Sequence, residues 1–509
     1  MNHWPILPVV IPFVAAVLCM IAHDRGIGLQ RALSAVSVGL LVLVSVVLLC
    51  QTASGDIAVY SLGNWPAPYG IVLVIDRLSA LMVALMSALA VPVLLHASGG
   101  VDAQGRHFHA LFQMQLAGLA GAFTTGDLFN LFVFFEILLL ASYALLVHGG
   151  GPRRVRAGFA YLVLNLAGSA VFLIALGLLY GTFGTLNLAD LTLVLPQLAP
   201  ADQALARTAL ALLVAVFLLK AALLPLSFWL PPVYSAASAP VAALFAIMTK
   251  VGVYALLRVS AIGLDSSPLT AGLLDDWLPI LALLTIATGT VGALAARGFA
   301  VVVANLILVS MGTLLVAIAA SEARATAAAL YYLPHTTLVT AGLFLLGDAI
   351  ARQRGAAGDA LIKGPPLAGL AALGGAYLVL ALAISGLPPF SGFIGKLMVM
   401  QSLWSTGSGV VVWVALLLSG LVVALVLARA ASAYFWEPGR GPGEPAVAPR
   451  SLAGSVALTI LVVASPVLAL AAGPVGGFAH AAAQQLHARQ PYVTAVLGAV
   501  PQVERERRP

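Results

Sequence analysis

Apolar runs about as long as a bilayer is thick recur from one end of this chain to the other. A helix needs roughly 20 apolar residues to cross a hydrocarbon layer of ~30 Å. On that basis the sequence holds about 14 candidate spans, at residues 4–22, 32–50, 78–97, 108–125, 128–147, 158–181, 207–230, 238–262, 277–296, 298–319, 324–349, 368–402, 407–430 and 451–472. Composition agrees. Only 8% of the 509 residues are charged, against about 25% in a soluble domain, and the mean hydropathy is +1.06. The expected fold is an all-α polytopic membrane protein. A soluble enzyme, a disordered scaffold and a disulfide-built secreted protein are excluded.

Loop charges give the orientation. One set of loops carries Arg25, Arg31, Arg106, Arg153, Arg154, Arg156, Arg297, Arg352, Arg354, Lys363, Arg440 and Arg450. The alternate set carries Asp56, Asp76, Asp127, Asp190, Asp202, Asp265, Asp275, Asp276 and Glu322. The positive-inside rule makes the first set cytoplasmic. An even span count puts both termini outside, which leaves the charged tail at 504–508 against the rule. Residues 1–22 are not expected to be a cleaved signal, because their positive charges follow the apolar run instead of preceding it. Residues 56–76 are too rich in Pro, Gly and polar groups to span, and predict an outward hairpin. Residues 182–203 and 431–450 read as loops, and 474–500 as a surface helix.

Cofactor chemistry is not legible. Cys19 and Cys50 both sit in apolar runs and read as small buried hydrophobes. No Cys/His spacing suggests a metal, haem or cluster site, and no glycine-rich nucleotide motif is present. The net charge of +6 is spread through loops, so nucleic acid is not an expected partner. No cofactor and no metal are assigned.

The informative residues are the charges left inside the spans. Of four lysines, Lys220, Lys250 and Lys396 fall within apolar runs. Glu136 is the one acid at the middle of a span, and His335 the one mid-span histidine. Facing lipid, such a set would cost on the order of 10 kcal/mol, comparable to a whole protein's net stability. They must face protein, water or each other. Static polar contacts between helices are usually made by Ser, Thr or Asn at lower cost. A buried lysine, by contrast, gains or loses its proton as its neighbours change, which is the chemistry of a proton path. Asp348 and Arg352, four residues apart at a helix end, read as a local ion pair. Asp127 reads as a helix-starting acid.

Two lysines stand beside helix breakers. In FLLKAALLPLSFWLPP, Lys220 precedes Pro225; in AISGLPPFSGFIGKLMV, Pro388 and Pro389 precede Lys396. Proline frees a carbonyl one turn back, and such backbone survives in a membrane only where protein or water satisfies it. A matched pair of interrupted helices points to an inverted-repeat transporter.

These stretches resemble a known family. DLFNLFVFFEILLLASYALL, LLKAALLPLSFWLP, MTKVGVYALLR and GLPPFSGFIGK are similar to the charged helices of the antiporter-like membrane subunits. That family is shared by Mrp/Mnh/Pha-type multisubunit cation/proton antiporters, respiratory complex I and membrane-bound hydrogenases. The resemblance covers about residues 70–430. It implies 14 helices with two inverted five-helix repeats, each with a broken helix. The implied division is 1–107, a first bundle at 108–262, a second at 277–430, and a C-terminal part at 431–509. It also implies roles: Glu136 and Lys220 as a paired gate, Lys250 as central relay, His335 as the link between halves and Lys396 as terminal relay. The wording around Glu136 and the lysine at 396 are most similar to the D-type antiporter subunits. The expectation is therefore a proton-translocating, non-enzymatic subunit of a Na+ or K+/H+ antiporter, working with other subunits in a bacterial inner membrane. The alternative is a redox-driven pump subunit of a complex I-like enzyme.

Overall fold

The computed structural model describes residues 3–261, 276–405, 407, 409–436 and 451–498. In chain order, α1 (Leu7–Ile21) and α2 (Ile27–Ala53) lead to a two-stranded antiparallel hairpin, β1 (Ala58–Ser61) and β2 (Val72–Ile75). Next come α3 (Arg77–Ala97), α4 (Phe108–Thr124), α5 (Leu128–Val147), α6 (Pro152–Phe183) and the short α7 (Leu188–Val194). A broken helix follows, α8 (Gln203–Lys220) and α9 (Leu230–Ala236), and then α10 (Ala239–Phe245) and α11 (Met248–Val259). The second half has α12 (Leu278–Ala295), α13 (Phe299–Ile318), α14 (Ala323–Ala351) and a second broken helix, α15 (Leu370–Ser385) and α16 (Ser391–Ser402). The chain closes with α17 (Gly409–Ala431), α18 (Leu452–Leu470), α19 (Ala472–His487) and α20 (Arg489–Gly498).

Among the described residues, 12 helices are long and apolar enough to cross a membrane. The two further expected spans have physical explanations. At 17 residues, α4 reaches only ~25 Å at 1.5 Å per residue, while 368–402 divides into α15 and α16 around Pro388–Pro389. The 56–76 hairpin is present as β1–β2, in register Ala58 to Ile75.

Three expectations need correction or division. The 182–203 stretch holds α7, because Asn187 caps it by accepting from the backbone N–H groups of Ala189 and Asp190. The 474–500 stretch is two helices, and α19 packs against α14 and α3 through Ala479, Ala482, Ala483 and Leu486. Cys19 is buried, but Cys50 is exposed; an apolar run puts a residue in the bilayer without choosing between lipid and protein. Asp265, Asp275, Arg440, Arg450 and the tail at 504–508 lie outside the described residues.

Burial is strongly graded. The Ala239–Val259 stretch is buried along its whole most apolar window, and α13 and α14 almost so, whereas α18 is buried over only 17% of its window. The axis of the protein is therefore α10–α11, α13 and α14. Outer helices such as α1, α12, α17 and α18 present apolar side chains outward, as lipid requires.

The acidic end of the bundle is locked by one ion pair. Asp76 caps α3, accepting from Ser79 N–H at 2.9 Å, and takes both Arg258 Nη1 and Nη2 at 2.5 Å. Arg258 also donates to Ser79 Oγ and Tyr254 Oη, and Tyr254 Oη donates to the Phe123 carbonyl at 2.7 Å. Burial works to push the Asp76 carboxyl up, but the Arg258 charge and its hydrogen bonds outweigh it and hold the group below the usual range. Breaking a buried pair from one side costs ~3–5 kcal/mol, whereas replacing both partners by apolar residues is often neutral. We expect Asp76→Ala to lower the unfolding midpoint of the purified protein sharply, and the double change Asp76→Leu, Arg258→Met to recover most of it. A double variant no better than the single one would contradict this account.

Candidate functional site

The five charged or titratable residues fall on five different helices: Glu136 on α5, Lys220 at the end of α8, Lys250 in the first turn of α11, His335 midway along α14 and Lys396 on α16. The two most interior, Lys250 and His335, are completely buried, and Lys220 and Lys396 are 6% and 5% exposed.

Lys220 is the last residue of α8, where the open carbonyl end of the helix favours a cation. Its Nζ donates to Asn165 Oδ1 at 3.0 Å and stands 5.9 Å from the centre of the Phe135 ring. Glu136 accepts a hydrogen bond from Ser169 Oγ. Asn165 and Ser169 lie one turn apart on α6, so one helix gives each charge its own partner, and the two charges make no direct ion pair among the described residues. The break after Lys220 is well satisfied. Leu224 N–H donates to Thr285 Oγ1 on α12, Leu223 N–H to the Leu218 carbonyl, and Trp229 Nε1 to the Leu219 carbonyl.

Lys250 follows a second interruption, between α10 and α11, that no proline or glycine marks in the sequence. Its Nζ and the neighbouring Thr249 Oγ1 are buried without a hydrogen-bond partner among the described residues. One step on, Gly252 packs directly on the end of α8: a Cβ there would lie 2.6 Å from Ala221 N and 2.8 Å from the Phe217 carbonyl oxygen. The start of the Lys250 helix is thus seated on the break that holds Lys220.

The second broken helix repeats the arrangement. Lys396 Nζ donates to the carbonyls of Ser385 at 2.9 Å and Ile384 at 3.3 Å, the open end of α15. Gly386, at φ 83°, turns the chain there and leaves room for the lysine; a Cβ would come within 2.7 Å of Lys396 Cδ. His335 Nδ1 shares a hydrogen bond with Ser391 Oγ at 2.8 Å, and Ser391 with Ser465 Oγ on α18 at 2.8 Å. His335 Nε2 has no partner among the described residues. Chemically, each half offers an amine at the carbonyl end of a broken helix with neutral hydrogen-bonding groups beside it.

Sequence reasoning missed Asn165, Ser169, Ser391 and Ser465. Asn165, an amide inside an otherwise apolar run, carried a signal; the three serines carried none. One loop-side network also went unread, and the Asp348–Arg352 pair expected from the sequence has a third member. Asp102 takes Arg31 Nε at 2.6 Å and His109 Nε2 at 3.1 Å. Burial raises the Asp102 carboxyl, but these partners outweigh it and bring it down to about 2. Asp348 meets both Arg352 Nε, at 2.7 Å, and His96 Nε2, at 2.9 Å.

Residues 125–422, which hold both broken helices and all five of these side chains, match the family described as NADH:quinone oxidoreductase/Mrp antiporter, TM. The chain belongs to this family. Among relatives in this antiporter family, it is 39% identical to the D-type subunit of a probable K(+)/H(+) antiporter from Rhizobium meliloti, with 98% of each chain covered. It is 34% identical to the D-type subunit of the Na(+)/H(+) antiporter from Bacillus subtilis, over 98% of this chain and all of that one. A chain in the solved Mrp complex from Dietzia sp. shares its fold, with a TM-score of 0.86 at 26% identity, covering 98% of this chain and 100% of that chain.

Asp127 generates a pH prediction. It caps α5, accepting from Asn130 N–H at 2.8 Å, and burial raises its carboxyl to about 6, against hydrogen bonds from Asn130 and Phe129 that lower it. An unfolded aspartate titrates near 3.9. Between those values the folded state holds the extra proton, so stability falls as pH rises from about 4 to about 6. Asp127→Asn keeps an oxygen for the cap. It should therefore gain ~1–3 kcal/mol on the wild type across that window, read from denaturation midpoints at each pH. A difference independent of pH would refute the assignment.

Proposed function

We propose that this chain is the D-type, proton-translocating subunit of a multisubunit monovalent cation/proton antiporter in a bacterial inner membrane. The observation that carries the reading is the repeated motif of a lysine at the carbonyl end of a broken helix, Lys220 on α8 and Lys396 by α15. Lys250 and His335 occupy the buried axis between them. Two units, 108–262 and 277–430, each supply one broken helix. The names of the relatives support antiport of Na+ or K+ against H+ by an assembly of several subunits.

In this reading, protons move along Glu136, Lys220, Lys250, His335 and Lys396. A proton arriving at Lys250 adds a charge beside the break that holds Lys220. At close range and reduced dielectric such charges interact by several kcal/mol. That is enough to move Lys220 between Asn165 and Glu136, so the Glu136–Lys220 pair closes or opens with the state of Lys250. The change passes through His335 to Lys396. The chain needs no cofactor for this, and the metal cation and the other subunits complete the exchange.

A second reading has a specific observation behind it: the matched family also covers NADH:quinone oxidoreductase. There the same residues would move protons with energy from electron transfer in partner subunits. Inverted vesicles separate the two. The chain is expressed with its neighbouring genes in cells lacking their own antiporters, and a proton gradient is followed on adding Na+ or K+. We expect cation-dependent collapse of the gradient, reduced at least tenfold by Lys220→Ala or Glu136→Ala in complexes that still assemble. Exchange at the wild-type rate in both variants would sink the residue assignment. An assembled wild-type complex silent to both cations would favour the redox-driven pump.

A further inference from the structure

A cavity of about 400 Å³ opens at the arginine-rich end of the bundle, between the ends of α3 and α14 and the starts of α15 and α18. His96, Asp348 and Arg352 stand at its mouth, and Ser455, Thr459 and Val462 line it along α18. Three features distinguish it from a gap filled by lipid.

The mouth is a titratable cluster. Asp348 is held between Arg352 and His96. His96 is 7% exposed, and its other ring nitrogen, Nδ1, is buried with no partner among the described residues. That nitrogen faces the start of α18, where a Cβ on Gly454 would come within 3.7 Å of it. Along α18 the wall also carries hydroxyls in a regular way. Ser451, Ser455, Thr459 and Ser465 mark one face of α18, while Val456, Ile460, Val463 and Val467 present the opposite face outward. Ser451 caps α18 and Thr459 donates to the Ser455 carbonyl, which leaves lone pairs on both oxygens to accept from water. Finally, a chain of buried hydroxyls begins just past Val462, the deepest α18 residue that lines the cavity. One turn beyond Val462 stands Ser465, fully buried, which hydrogen-bonds Ser391, which hydrogen-bonds His335. From Ser455 to Ser465 is ~15 Å along the helix.

The geometry points to a water-filled proton inlet along the α14–α15–α18 seam, running from His96 and Asp348 through Ser465 and Ser391 to His335. Ser465 and Ser391 are its two fixed hydroxyls. Water in the cavity supplies the rest, since hydroxyl and water exchange protons by passing one along each hydrogen bond with no net charge left behind. The inlet rests on the proton-path reading above and assigns it an access point in the second half, on the side that the positive-inside rule makes cytoplasmic.

The test uses the whole antiporter complex with Cys19→Ala and Cys50→Ala as background. Thr459→Cys and Val462→Cys are exposed to a membrane-impermeant, positively charged methanethiosulfonate reagent. In inverted vesicles, whose arginine-rich side faces the reagent, we expect both to be modified and exchange to fall about tenfold. In right-side-out vesicles we expect neither. Val463→Cys, on the outward face, should stay unmodified in both. Ser465→Ala should lower exchange about tenfold while Ser465→Thr, which keeps the hydroxyl, retains more than half. The inlet is overturned if neither cavity cysteine reacts, if both react without loss of exchange, or if Ser465→Ala exchanges like the wild type. Lys220→Ala in the same vesicles keeps the two readings apart. If it abolishes exchange while the cavity variants are silent, only the inlet falls; if it too is silent, the proton-path reading falls with it.

Discussion

A helix that stops inside a membrane leaves carbonyl groups with no water to bond, and everything in this protein is arranged around that cost. At the end of α15 the carbonyls of Ile384 and Ser385 are taken up by the ammonium of Lys396. A buried lysine and an open helix end are each expensive alone. Together each satisfies the other, and the positive charge also sits where the helix dipole favours it. The break and the lysine are one feature. At α8 the solution is divided: Trp229 and Thr285 satisfy the backbone of the break, which leaves the Lys220 ammonium free to bond Asn165 instead. The first lysine is held by a side chain and the second by backbone. A side-chain partner can rotate away and a helix end cannot, so the first site is the more easily switched.

Burial explains the order of the rest. Lys250 and His335 occupy the most enclosed helices, where an ionised group interacts most strongly with its neighbours. They carry orphaned polar atoms, Lys250 Nζ and His335 Nε2, whereas two buried ion pairs at the ends of the bundle join neighbouring helices. Asp76 with Arg258, and Asp102 with Arg31 and His109, fix helix ends. Ion pairs hold the frame, and the proposed proton path runs through the under-partnered groups on the axis.

Much of this was legible in the sequence, for reasons that also mark the limit. Hydrophobic runs locate helices because backbone satisfaction leaves a membrane segment little choice. Prolines beside Lys220 and Lys396 located two breaks, because the residue that causes a break is written in the chain. The interruption before Lys250 carries no such residue and is visible only in three dimensions. Cys50 shows the same limit from another side, since apolarity does not separate lipid contact from protein contact. Pairings between distant residues, such as Asp76 with Arg258 or His96 with Asp348, depend on which helices become neighbours. A single sequence does not name neighbours. It shows that a buried charge needs a partner, without saying which one.

The proposed Glu136–Lys220 gate illustrates why those partners matter. A bare Glu136–Lys220 contact in a low-dielectric interior would gain several kcal/mol from Coulomb attraction and would be slow to open. Here Ser169 hydrogen-bonds the carboxylate and Asn165 bonds the ammonium, and both belong to α6. The open arrangement therefore leaves neither charge unpartnered, which narrows the free-energy gap between open and closed. In the proposed mechanism that is what lets a single proton on Lys250 decide the state of the pair: its few kcal/mol act on two nearly balanced arrangements, where they would be too small to break an ion pair with no alternative partners.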